Sequence, residues 1–206
     1  MEVTSELREL ADHLREIAEQ LTTREIGAER VSRAVRLSRE LRDELEGPRF
    51  TPWYEIDAED PRAVHTRAQF DATSPFGGAI NPLAPPMRIE MPDDPKGRVI
   101  GRVRLSRAYE GPPRGVHGGV VAGMFDEILG EVQALAPPVG MTGRLDVVYR
   151  RVTPIETDLV FEGWVDQDRG RAILAKATCS AGGQITAEAN ALFVRVDFRQ
   201  VAEREG

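Results

Sequence analysis

The sequence predicts an α+β fold, an antiparallel sheet wrapped around one long central helix, with an N-terminal helical extension. Three observations carry that prediction. Between residues 98 and 198 apolar residues alternate with polar ones in several runs separated by short glycine turns. Inside that region lies one apolar helical run, from about Gly118 to Leu135, closed by Pro137-Pro138. Leucines and isoleucines recur at helical spacing in the first 46 residues. One long helix among several antiparallel strands must bury its apolar side against the sheet.

Residues 1–47 form the predicted extension. Leu7, Leu10, Leu14, Ile17 and Leu21 draw a narrow apolar seam, and Val31, Val35, Leu37, Leu41 and Leu45 draw a second. Gly27 falls at the change of register, and Gly47-Pro48 ends the second helix. Eight arginines stand against twelve acids in residues 1–46, a balance unsuited to reading nucleic acid. A helical hairpin, or a short coiled-coil contact between subunits, is the expected form.

Residues 48–97 are rich in proline, so regular structure there must be short. Trp53, Tyr54, Phe70, Phe76, Ile80, Leu83, Met87 and Ile89 mark it as an ordered wrapping segment rather than a linker. A first strand is expected near Met87–Met91. The stretch 74–92 is placed to cap a pocket and set the length of what enters it.

Residues 98–206 form the domain proper. Val99, Gly101, Val103 and Leu105 alternate with polar residues, as in a strand with one buried face. After the helix, strands are expected at Met141–Arg151, Asp158–Asp168, Arg171–Ala181 and Ile185–Phe198. Asp168-Arg169-Gly170 and Ala181-Gly182-Gly183 have hairpin length.

Bulk properties narrow the function. The chain has 206 residues, 41% hydrophobic and 30% charged, an ordinary globular balance. A formal charge of -7 argues against nucleic acid as the main partner. The single cysteine, Cys179, excludes an intrachain disulfide and a cysteine zinc cluster, and a reducing, cytoplasmic setting is the expectation. No apolar stretch has membrane-spanning length, and the acid-bearing N-terminus lacks the apolar core of a signal peptide.

On the central helix Val121, Phe125, Ile128 and Val132 share one face, at about 100° per residue. The opposite face holds Gly119, Gly123, Asp126 and Gly130. Glycine costs about 1 kcal/mol against alanine inside a helix, so this stripe serves close approach, by a backbone or by a ligand. Asp126 is the only charge on it: either a paired interface residue or an acid/base group. Arg114-Gly115-Val116-His117-Gly118-Gly119 puts glycine amides at the helix N-terminus. Free N–H groups and the helix dipole there suit the oxyanion of a thioester under attack. A phosphate is the competing reading, but the strand–GxxxxGK(S/T) context is absent.

These residues carry a family resemblance. HGGVVAGMFDEILG resembles the helix of hotdog-fold thioesterases of the PaaI and 4-hydroxybenzoyl-CoA thioesterase type, and MTGRLDVVYRRVTPI resembles the strand that follows it in the thioesterase superfamily member subgroup. The likeness covers about residues 98–198. It implies a hotdog fold and an acyl-CoA thioesterase acting as a homodimer or homotetramer, with fatty acid metabolism as the setting. It implies Asp126 as general base or nucleophile, Gly118 as oxyanion donor, His117 as a group orienting that loop or the carbonyl, and Thr142 as a partner of the water or of Asp126. It implies a substrate site drawing on Gly119, Val148, Arg150, Gly170 and Arg171, and no metal or redox cofactor. The run Tyr109–Arg114 departs from the pattern, lacking the Asn or Gln that many relatives carry there. Two other readings stand beside it: a non-catalytic acyl-CoA-binding hotdog module, and a hotdog dehydratase or hydratase, for which His13 and His65 offer no setting.

Overall fold

The computed structural model describes residues 3–51, 55–56, 70–91 and 97–196. The expectations for Trp53 and Tyr54, and for the strand's continuation through Phe198, fall outside the described residues.

Helix α1 spans Ser5–Thr23 and α2 Ala28–Glu44. Thr4 caps α1 by accepting the Leu7 N–H, and Gly27 is the N-cap of α2. The helices break where the sequence changes register. They do not, however, build a hairpin with its own core. Helix α1 buries Ala11 and packs beside a 3-10 turn at Arg107–Tyr109, whereas α2 buries no residue. The first part of the α1 seam, Leu7, Leu10 and Leu14, is partly buried, whereas Ile17 and Leu21 are exposed, and the second seam leaves Val31, Val35, Leu37 and Leu45 exposed.

Six antiparallel strands follow: β1 (Arg88–Glu90), β2 (Val99–Arg104), β3 (Gly140–Tyr149), β4 (Asp158–Asp168), β5 (Ala172–Ala181) and β6 (Gln184–Arg195). Their order across the sheet is β1-β2-β4-β5-β6-β3. Helix α3, Gly118–Gln133, lies against one face. Its Val121, Met124, Phe125, Ile128, Leu129 and Val132 are buried, as the periodicity predicts. The strands beneath present small side chains, Ala175, Ala177 and Cys179 on β5 and Ala187, Ala189 and Ala191 on β6, so the helix axis can approach the sheet. Phe125 meets Phe161 edge-to-face, with centroids 5.2 Å apart. Burial pushes the Cys179 thiol up to about 11, so it acts as a small core hydrophobe.

The end of α3 is tied to the start of β3. Gln133 Nε2 donates to the Gly140 carbonyl at 3.1 Å, and Oε1 accepts the Gly140 N–H at 2.8 Å. At the far end of β3 the Tyr149 hydroxyl donates to the carbonyl of Gly118 at 2.7 Å. Helix and edge strand therefore run alongside each other, fastened at both ends.

Candidate active site

Asp126 lies on the exposed side of α3, away from the buried stripe. Thr142, two residues past the Gln133–Gly140 tie, donates its hydroxyl to Asp126 Oδ1 at 3.0 Å. A bulge makes this possible. The pairing of β3 with β6 slips between Thr142 and Arg144, so Gly143 is an extra residue. Without it, strict alternation would put Thr142 on the opposite face from Leu145 and Val147, which pack toward the core. The bulge inverts the phase and turns Thr142 toward the helix as well. A threonine hydroxyl facing a carboxylate holds one oxygen in place and leaves the other free for a water or an acyl carbon.

The N-terminus of α3 is built from the expected glycines. His117 is the N-cap, and its Nδ1 accepts the Gly119 N–H at 3.1 Å. In the neutral ring the proton therefore sits on Nε2. The Val120 and Val121 amides turn back to the His117 carbonyl. Among the described residues the Gly118 N–H has no acceptor. The loop before the helix is fixed by the His117 N–H to Tyr109 carbonyl bond and the Val116 N–H to Thr153 carbonyl bond. Within the run Tyr109–Arg114, Glu110 accepts the Arg114 N–H at 2.7 Å, with Arg114 at φ 62°. That carboxylate shapes the loop.

The structure brings Asp126 and Thr142 together, and groups His117, Gly118 and Gly119 at the helix start. It does not bring the two groups to one point. Gly118 and Asp126 are eight residues apart, about 12 Å along the axis at 1.5 Å per residue. The residues expected for substrate binding also separate. Val148 lies near the end of β3, and Arg150 follows it, paired with Glu188 at 2.6 Å. Gly170 and Arg171 occupy the turn from β4 to β5, beside Arg195, which pairs with Gly140 at the start of β3. The two sets sit at opposite ends of a ten-residue strand, about 30 Å long. In that turn Gly170 adopts φ 71°, its N–H donates to Asp168, and its carbonyl accepts from Arg195. The Arg195 guanidinium holds the Asp168 carboxyl down at about 2.

The sequence places the stretch 74–92 over a pocket and the glycines on the helix stripe, but gives no role to Glu127 or Tyr149 and does not say where Ser74 and Phe76 dock. Glu127, beside Asp126, is half-buried, and burial holds its carboxyl above the ordinary range. The Ser74 hydroxyl donates to it at 2.5 Å. The ring of Phe76 lies directly on Gly123. Gly130, further along the glycine stripe, has open space where a side chain would begin. Tyr149 braces the helix start, and the tyrosine in the strand pattern was its only trace in the sequence.

Comparison with known proteins bears on the fold that holds this site. No family model matches the chain. A solved thioesterase superfamily protein superposes with a TM-score of 0.74, covering 91% of this chain and 94% of that one at 28% identity. The chain has the hotdog fold of the thioesterase superfamily. The zebrafish thioesterase superfamily member 2 shares the hotdog fold at 17% identity, with a TM-score of 0.52 over 63% of this chain and 96% of that one. In sequence, the mouse acyl-coenzyme A thioesterase THEM4 is 30% identical over 90 residues, 43% of this chain. The chain spans about two fifths of the length of that curated relative, 39%. Among the described residues, no helix of this hotdog protein is long and apolar enough to cross a membrane.

Proposed function

We propose that the protein is an acyl-CoA thioesterase in which Asp126 is the acid/base residue. The observation that carries this reading is the Thr142–Asp126 hydrogen bond on the open side of the central helix. The resemblance to thioesterases supports the same reaction class. Asp126 takes a proton from water as the water oxygen bonds to the thioester carbon. The carbonyl oxygen becomes an oxyanion, which an amide N–H at a helix start stabilises. Collapse breaks the C–S bond, and the thiolate leaves as CoA once protonated. Direct attack by Asp126, through a mixed anhydride that water then opens, uses the same residues.

The 12 Å gap between Gly118 and Asp126 requires a second copy of the chain to complete the site. Strand β3 is the natural contact. Among the described strands it is paired on one side only, and it exposes Met141, Val148 and Tyr149. Two copies joined along it would set the Gly118 of one near the Asp126 of the other, in a homodimer or a dimer of dimers. One CoA could then touch Val148 and Arg150 from one copy and Gly170 and Arg171 from the other. Guanidinium groups suit its phosphates.

The test is thiol release from short, long and aromatic acyl-CoAs. Asparagine keeps the size of Asp126 and removes the base, so Asp126→Asn is expected to lose about 10²-fold or more in kcat. Binding of acyl-CoA by the wild type with no thiol released overturns the catalytic reading.

A further inference from the structure

The inference rests on the thioesterase reading and deepens it, by naming what the acyl group lies against. Residues 72–84 form a loop seated on the flank of α3 beside Asp126. The loop holds itself: the Ile80 N–H donates to the Ala72 carbonyl, the Gly78 N–H to the Ser74 carbonyl, and Asn81 Nδ2 to the Thr73 carbonyl at 2.9 Å. Helix α1 holds it from outside. Arg15, almost buried, donates Nη2 to the carbonyls of Gly78, Ala79 and Asn81 at 3.2, 3.0 and 2.9 Å, and Nε to that of Ala84 at 2.9 Å. Its remaining nitrogen pairs with Asp12 at 2.5 Å. A planar guanidinium that binds four carbonyls fixes a loop more firmly than a lysine could.

From this loop two side chains reach α3. Ser74 donates to Glu127, and the Phe76 ring covers Gly123, three residues before Asp126. A Cβ at Gly123 would overlap the ring. Thr142 meets Asp126 from the β3 side, and the ring covers the helix three residues before Asp126. The acyl group is apolar, and the ring is an apolar surface on the same stretch of helix as the carboxylate. Further along the helix, the space over Gly130 is open.

We propose that Phe76 is the wall that gauges the acyl group, and that Arg15 is a positioning residue that sets the wall from the N-terminal helix. The wall is fixed, because backbone bonds and the guanidinium both anchor it.

The test compares wild type, Phe76→Ala, Phe76→Trp and Arg15→Met in kcat/KM for acetyl-, octanoyl- and dodecanoyl-CoA. Circular dichroism and thermal unfolding establish that each variant is folded. A change of pocket size by several carbon atoms is worth at least about 10-fold in selectivity. Phe76→Ala is expected to raise the dodecanoyl to acetyl ratio by that factor, Phe76→Trp to lower it, and Arg15→Met to shift it the same way as Phe76→Ala. Folded Phe76 variants with unchanged ratios overturn the proposal and leave the thioesterase reading standing. Should the wild type release no thiol, the thioesterase reading fails. Calorimetric dissociation constants for the same acyl-CoAs on wild type and Phe76 variants then decide the wall. A chain-length dependence that Phe76→Ala does not alter, or no binding at all, overturns it.

Discussion

The Thr142 hydroxyl and the Asp126 carboxylate, sixteen residues apart, meet at 3.0 Å because Gly143 bulges out of the edge strand between them and the β6 register. A hydrogen bond to a charged group contributes about 1.5–3 kcal/mol, more than a neutral one. Thr142→Val keeps the shape and removes the donor. It is expected to lower kcat by about 10- to 100-fold, with thermal stability nearly unchanged. A variant with full kcat would show that the hydroxyl does not serve Asp126.

Two glycines on the same helix should respond in opposite ways. Gly130 has open space around it, so Gly130→Ala gains helix propensity, about 1 kcal/mol, and raises Tm by about 2–4 °C. Gly123 lies under Phe76, where an added methyl overpacks at a cost of about 1–3 kcal/mol. The loop is pinned and cannot yield, so Gly123→Ala is expected to lower Tm. Combining it with Phe76→Ala should recover most of that loss, since the two residues are in contact. Equal Tm shifts for the two alanine variants would contradict this packing.

Tyr149 fastens the helix start through its bond to the Gly118 carbonyl. Tyr149→Phe removes the hydroxyl alone. The expected loss is about 0.5–1.5 kcal/mol in chemical denaturation, together with a lower kcat if the adjoining amide binds the oxyanion. Unchanged stability would mean the bond is not kept in solution.

Glu127 gives stability a pH dependence of known sign. Burial raises its carboxyl above the ordinary value of 4.5, while Ser74 lowers it and Glu131, Asp126 and Asp71 raise it further. The folded chain thus holds the proton more tightly than the unfolded one. The resulting contribution is fully present below about 4.5 and is lost as pH rises through the folded value. Glu127→Gln mimics the protonated form. Its Tm should fall less than that of wild type between pH 4.5 and 7, and parallel curves would remove Glu127 as the cause.

Much of this was legible in the sequence. The central helix was, because Val121, Phe125, Ile128 and Val132 keep a 3.6-residue period. Asp158–Asp168 is legible to the residue, and the other strands to within one or two residues at each end, except that the last one stops at Arg195, three residues before the expected Phe198. Asp126 stood out as the lone charge among glycines. The bulge did leave a signal: Leu145 and Val147 are out of phase with Thr142, which an unbroken strand cannot satisfy. The seat of Phe76 left none. It depends on Arg15, and no local pattern links an arginine on an amphipathic helix to carbonyls more than sixty residues away. Of the two forms expected for the extension, the self-contained hairpin is not formed, since α1 buries Ala11 against the domain and α2 buries nothing, which no pattern within the helices could reveal.

The bonds of Arg15 span 63 to 69 residues, so they form only once α1 and the loop at 78–84 have come together. Contacts of such high sequence separation are costly to close and come late in folding. By the same token they can open without unfolding the sheet, as a cooperative unit of lower stability. Amide hydrogen exchange would then find α1 and residues 78–84 opening together, with one shared protection. The sheet beneath them would exchange far more slowly, and α2, with nothing buried, sooner than either.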